Sequence, residues 1–96
     1  MSLIRSYLEQ VHGWECMTRP LGEDGDDLRI VRFPGLSLEL KNHESLKLGE
    51  WMRQAEEQAG DDKVPVVIHK RARKTDPADQ WVTMTVATFV DLLKGP

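Results

Sequence analysis

Residues 36–41 read Leu-Ser-Leu-Glu-Leu-Lys, a strict two-residue alternation of apolar and polar side chains. Successive side chains of an extended strand point to opposite faces. Leu36, Leu38 and Leu40 therefore bury on one side, and Ser37, Glu39 and Lys41 share the other. Pro34-Gly35 directly upstream favours a turn. Residues 27–33 before that turn also alternate, with Leu28, Ile30 and Arg32 on one side and Arg29, Val31 and Phe33 on the other. Together 27–33 and 36–41 predict an antiparallel hairpin.

The rest of the chain surrounds this hairpin with helices. Leu3, Ile4, Tyr7, Leu8 and Val11 mark one face of a helix over 2–12, and Gly13 supplies its stop. Residues 14–18 read as a short strand. Leu48, Trp51, Met52, Ala55 and Ala59 place a helix over 46–59, with Ser45 as its N-cap and Gly60-Asp61-Asp62 as its end. The apolar run Val64–Ile68 then suits a strand buried on both faces beside a parallel neighbour. Residues 81–86 alternate again, with Val82, Met84 and Val86 on one face, and Phe89, Val90, Leu92 and Leu93 form a short closing helix. The order helix, strand, strand, strand, helix, strand, strand, helix predicts an α/β (α+β mixed-sheet) fold with helices on the faces of the sheet. No internal repeat, low-complexity tract or linker divides residues 1–96, so a single domain is expected.

Composition excludes several function classes. The net charge of -3, from 13 basic and 16 acidic residues, argues against a uniformly basic nucleic-acid wrapper and against an acidic tail, but leaves room for a local basic patch. The apolar run Val64–Ile68 is far short of the roughly 20 residues a membrane span needs. Met1-Ser2-Leu3-Ile4-Arg5 lacks the basic-then-apolar pattern of an export signal. The single cysteine, Cys16, can form neither an internal disulfide nor a multi-cysteine zinc site, which points to a reducing cytoplasm. There is no glycine-rich phosphate loop, so no nucleotide cofactor is expected, and Ser37 has no nucleophile elbow around it.

The chemistry concentrates on the second arm of the hairpin. Glu39 and Lys41 share a face about 7 Å apart. Asp26 and Asp27 lie where the first arm begins, so the hairpin brings one of them beside Glu39. Two converging carboxylates repel each other unless a cation lies between them, and oxygen ligands favour Mg²⁺ or Mn²⁺. Such an ion activates water and neutralises phosphate charge, while a neighbouring lysine steadies the developing charge. That is a layout for phosphodiester hydrolysis; the plainer reading is an exposed ion pair. Asp61-Asp62-Lys63 has the same spacing but falls in a loop with no alternating strand. A second feature is the basic run His69-Lys70-Arg71-Ala72-Arg73-Lys74, four fixed positive charges in six residues, which reads as a clamp on DNA phosphates. Arg19, Arg29 and Arg32 are candidates to extend it, and His43 is a candidate for DNA contact or water handling. His12 and Cys16 read as structural, and Trp14, Trp51 and Trp81 as core or interface residues rather than base-stacking platforms, with Trp81, opposite Val82, partly exposed.

The stretch from Pro34-Gly35-Leu36 through Glu39-Leu40-Lys41-Asn42-His43 resembles the PD-(D/E)xK nuclease superfamily, and within it the small Holliday-junction-resolvase-like nucleases that phages encode. The segment from Leu48-Gly49-Glu50-Trp51 through Gln54-Ala55-Glu56 to Gly60 is similar to the helix that follows the motif, and Val66-Val67-Ile68-His69-Lys70-Arg71 to the next strand with its basic end. The likeness spans residues 13–94. It implies a restriction-endonuclease-like αβββαβ core with an extra strand and a C-terminal helix. It implies a Mg²⁺-dependent endodeoxyribonuclease, with Mn²⁺ as substitute, acting on branched DNA as a homodimer, in the host cytoplasm if phage-encoded. Its site residues carry over to Asp27 and Glu39 as metal ligands, with Asp26 as the alternate, and to Lys41 and Gln54 as catalytic partners. The basic residues His69, Lys70, Arg71, Arg73 and Lys74, with His43, would hold DNA. Three departures stand out. Asp26 rather than proline precedes Asp27, twelve residues separate Asp27 from Glu39, and the glutamate that many resolvases carry well before the Gly13-like glycine has no counterpart at the chain start. The last keeps open a catalytically impaired module that binds DNA or a partner protein without cutting. A structural adaptor with no nucleic-acid role is the third reading.

Overall fold

The computed structural model describes residues 2–18, 27–42 and 47–95. The elements are α1 (Ser2–Gln10), β1 (Cys16–Thr18), β2 (Leu28–Ile30), β3 (Leu36–Lys41), α2 (Leu48–Ala59), β4 (Val64–His69), β5 (Trp81–Thr83) and α3 (Val86–Lys94), with a 3-10 turn at Pro77–Asp79. Among the described residues the strands form one five-stranded mixed sheet in the order β1-β2-β3-β4-β5. Only β3 and β4 are parallel; β1–β2, β2–β3 and β4–β5 are antiparallel. A parallel pair needs a crossover, and α2 provides it. The expected mixed-sheet class and element order are those observed. No described helix is long and apolar enough to cross a membrane.

The alternation of β3 divides the protein into two apolar layers. Leu38 pairs with Leu28 and lies opposite Val66, and these three join Ile4, Cys16 and Ile30 in the larger core. Ile4 and Leu8 bring α1 against that side. Burial pushes the Cys16 thiol up, with the Glu9 carboxylate adding to the effect, so the thiol is inert packing. On the opposite side, Trp51 and Ala55 of α2 pack on Val67 with Met52 alongside. Val67 lies opposite Glu39 in the parallel ladder, so α2 covers the face that carries Glu39 and Lys41.

The element ends depart from the expected boundaries for local reasons. Helix α1 stops where Gly13 takes a left-handed φ of 70°, its amide donating to the Glu9 carbonyl. The strand expected over 14–18 is only Cys16–Thr18. In the hairpin, Phe33 N–H bonds the Ile30 carbonyl and Leu36 N–H bonds the Phe33 carbonyl. Two successive turns therefore replace the single turn expected at Pro34-Gly35, and Val31–Phe33 leaves the strand. Helix α2 begins at Leu48 with Lys47 in the cap position; the expected cap, Ser45, lies outside the described residues. Strand β5 ends at Thr83 rather than 86, because the Thr85 hydroxyl accepts the Thr88 amide at 3.1 Å and starts α3 at Val86. Of the three residues expected on one face, Val82 and Val86 are exposed and Met84 is half-buried.

Candidate metal-and-phosphate site at the carboxyl end of β3

The extra turn sets the hairpin register that matters here. A two-residue loop at Pro34-Gly35 would place Ile30 opposite Glu39. The observed Leu28–Leu38 pairing instead brings Asp27 level with Glu39. Asp27 stands just before β2. Its main-chain N–H donates to the Leu38 carbonyl at 3.0 Å, and its carboxylate Oδ2 accepts the Leu40 N–H at 3.0 Å. These two bonds straddle Glu39, so the Asp27 backbone and carboxylate are tied to the residues on either side of it.

Lys41 lies two residues on, on the same face of β3 as Glu39. Its Nζ donates to Gln54 Oε1 at 2.8 Å, across the interface between β3 and α2. Gln54 follows Trp51 by three positions, and the burial of Trp51 against the sheet turns this part of the helix toward Lys41. A hydrogen bond to a charged group is worth roughly 1.5–3 kcal/mol, enough to hold a long lysine side chain in one geometry. Asp27, Lys41 and Gln54 are half-buried. Glu39 is deeper, at 5 % exposure. A carboxylate at that depth keeps its charge only in the company of donors or a cation.

His69 closes the same end of the sheet. It pairs with Lys41 on one side and Trp81 on the other. Its ring is 1 % exposed and lies 5.4 Å from the Trp51 ring and 6.0 Å from the Trp81 ring. Nε2 bonds Thr83 Oγ1 at 2.7 Å, and Nδ1 is buried with no hydrogen-bond partner among the described residues. Burial lowers the His69 pKa. The expectation that His69 contacts DNA is therefore corrected: a ring packed between two tryptophans cannot reach a phosphate.

The rest of the basic run forms a loop beyond β4 at the same end of the sheet. The Lys70 amide donates to the Lys41 carbonyl at 2.9 Å. Lys70 Nζ turns back onto the carbonyls of Arg71 and Lys74. The Arg71 guanidinium lies 5.4 Å from the Trp81 ring centroid, and Arg73 and Lys74 are exposed. Gln80 organises this loop. Its Oε1 accepts the Arg71 amide at 2.7 Å, and its Nε2 donates to the carbonyls of Lys74 and Asp76 at 3.1 and 2.8 Å. The role of Gln80 was not apparent from its position; the nearest signal was Asp76-Pro77, where Asp76 Oδ1 caps the 3-10 turn through the Ala78 amide. Arg32 does not extend the cluster. It belongs to the turn before β3, about 17 Å of strand away. Arg29 is on β2, two strands from the loop. Asp26, His43 and Arg19 lie outside the described residues.

The donor set suits a hard divalent cation. Asp27 and Glu39 offer carboxylate oxygens only, and Mg²⁺ is commonly held by one or two carboxylates with water and phosphate filling the other positions. Among the described residues no group of three or more His, Cys, Asp and Glu side chains gathers as a metal site. Compared with known proteins, the chain matches no family model, no curated protein and no solved structure.

Proposed function

We propose that this protein is a Mg²⁺-dependent endonuclease that hydrolyses phosphodiester bonds in branched, junction-like DNA. The observation that carries the reading is the Lys41 Nζ–Gln54 Oε1 hydrogen bond of 2.8 Å at the carboxyl end of β3, where the Asp27 bonds to the Leu38 carbonyl and the Leu40 amide straddle Glu39. In this reading Asp27 and Glu39 would hold the ion, which would supply a polarised water and positive charge against the phosphate. Gln54 aims the Lys41 ammonium, and Lys41 steadies the negative charge that builds on the phosphoryl oxygens. Arg71, Arg73 and Lys74 engage neighbouring phosphates.

A homodimer fits the outer surface of α3. Val86, Phe89, Val90 and Leu93 recur at i, i+3, i+4 and i+7, the spacing of a helix–helix seam, yet they face solvent while Thr88 faces the domain. Their exposures, with Leu92, run from 40 % to 78 %. With side chains of ~150–200 Å², that leaves roughly 500 Å² of apolar surface per chain, the size of the largest patch on a typical monomer, which is often functional. Two such faces bury about 1,000 Å², the lower bound of a specific interface. A two-fold pairing of α3 with its copy covers both at once and gives a branched substrate two sites.

The burial of Glu39 favours a second reading, in which the same surface binds DNA without cutting it. One experiment separates them. Purified protein is incubated with junction, flap and linear DNA in Mg²⁺ or Mn²⁺, beside Glu39→Ala and Lys41→Ala. The nuclease reading expects cleavage of branched DNA that both substitutions abolish. Cleavage that survives either substitution removes that residue from the mechanism, and binding without cleavage establishes the second reading.

A further inference from the structure

Trp81 is a half-exposed aromatic in an unusual position. It ends the row Lys41–His69–Trp81 across β3, β4 and β5, so it shares a face with the candidate site. Two strand spacings place it about 10 Å from Lys41, a distance of two to three nucleotides along one strand at about 3.4 Å each. Its ring is 46 % exposed, although a tryptophan gains most from full burial. Arg71 lies against it, 5.4 Å from the ring centroid, and Gln80 fixes the Arg71 backbone. From beneath, the ring is braced by His69, itself packed on Trp51. The platform is therefore rigid, aromatic and cationic, and open to solvent on one side. Exposed Arg73 and Lys74 flank it.

We propose that Trp81 and Arg71 form a stacking platform for an unpaired base of single-stranded DNA, adjacent to the candidate cleavage site. Bases in a duplex are stacked on each other and present only their edges, whereas an unpaired base offers a π-face to a tryptophan or a guanidinium plane. The cationic member then pairs with the phosphate next to that base. The platform gives the protein a reason to prefer junctions, flaps and other DNA with unstacked nucleotides. It deepens the nuclease reading, and its own basis is the Trp81–Arg71 geometry.

The test is a binding titration with a short thymidine oligonucleotide in EDTA, so that no metal chemistry enters. Wild-type protein should bind at low salt with quenching of tryptophan emission. Trp81→Ala should bind roughly tenfold or more weakly, the effect of losing one base–aromatic stack, with its salt dependence unchanged. Trp81→Phe should keep affinity within about threefold, since a smaller ring still stacks, but lose most of the quench, because Trp51 is buried and Trp14 packs against the core on the other face of the sheet. Arg71→Ala should lower the salt slope by about 0.7, one phosphate's worth on a single strand. Equal affinity in wild type and Trp81→Ala, an unchanged quench in Trp81→Phe, or no binding of the oligonucleotide by wild type overturns the proposal. Cleavage is scored separately in Mg²⁺. A protein that stacks DNA through Trp81 but never cuts rejects the nuclease reading and keeps the platform; one that cuts while Trp81→Ala binds normally does the reverse.

Discussion

Lowering the pH from about 7.5 to about 5 should destabilise this fold through His69. The ring is 1 % exposed, bonded to Thr83 through Nε2 and without a partner at Nδ1 among the described residues, and burial lowers its pKa from the ordinary 6.5. The folded state therefore holds a neutral ring where the unfolded chain already takes up a proton. Below pH ~6.5 the unfolded state binds more protons, so stability falls as pH falls, down to the lowered folded-state pKa. One proton sets the ceiling on this slope at about 1.4 kcal/mol per pH unit. Above ~6.5 both states are neutral and the contribution is flat. Urea unfolding followed by circular dichroism at closely spaced pH values measures the slope. His69→Gln, which cannot titrate, is the control. His12 and His43 remain in both chains, so they cancel in the difference. Wild-type and His69→Gln stabilities that run parallel between pH ~6.5 and ~5 would refute the reasoning. Because Lys41 is the ladder neighbour of His69, the same acid step should loosen the Lys41–Gln54 contact.

Other substitutions probe separate parts of the account. Gln54→Ala removes the acceptor for Lys41 Nζ, and should lower kcat for DNA cleavage roughly tenfold with KM little changed; steady-state kinetics on a junction substrate decide it. Leu93→Asp places a charge on the exposed face of α3, and should convert a dimer to a monomer in sedimentation experiments without lowering the stability of the isolated chain; a wild type that sediments as a monomer at high concentration removes the dimer. Leu28→Ala opens a hole in the larger core beside Leu38, and should cost about 2–5 kcal/mol in urea unfolding.

Much of the fold was legible because period two and period 3.6 are written into short stretches. Leu36–Lys41 alternates without exception, and the stripe Trp51, Ala55, Ala59 is the buried side of α2. The approach of Asp27 to Glu39 was also anticipated, but through the wrong turn. A tight turn at Pro34-Gly35 misplaces the register by three residues. The double turn over 30–36 corrects it, and nothing in Val31-Arg32-Phe33 distinguishes a turn from a strand until the Val31 amide pairs with the Glu15 carbonyl. His69 was read as one more cation because it adjoins four of them in sequence. Its burial depends on β5 docking against β4 and on Trp51 arriving from α2, both long-range events. The helical period of α3 was equally plain, while the direction its apolar side faces was not: Thr88 is its buried residue and the apolar positions are exposed, an outcome of tertiary packing that local pattern does not encode.

Trace contaminating nucleases can imitate cleavage, so metal binding by the protein itself is the more direct test of the Asp27–Glu39 pair. Free Mn²⁺ followed by electron paramagnetic resonance during a protein titration counts bound ions without any substrate. The account predicts one Mn²⁺ per chain at millimolar concentration or below, displaced by Mg²⁺ and lost in Asp27→Asn and in Glu39→Gln. A wild-type protein that leaves all the Mn²⁺ free, or a Glu39→Gln protein that binds it as well as wild type, would contradict the central claim.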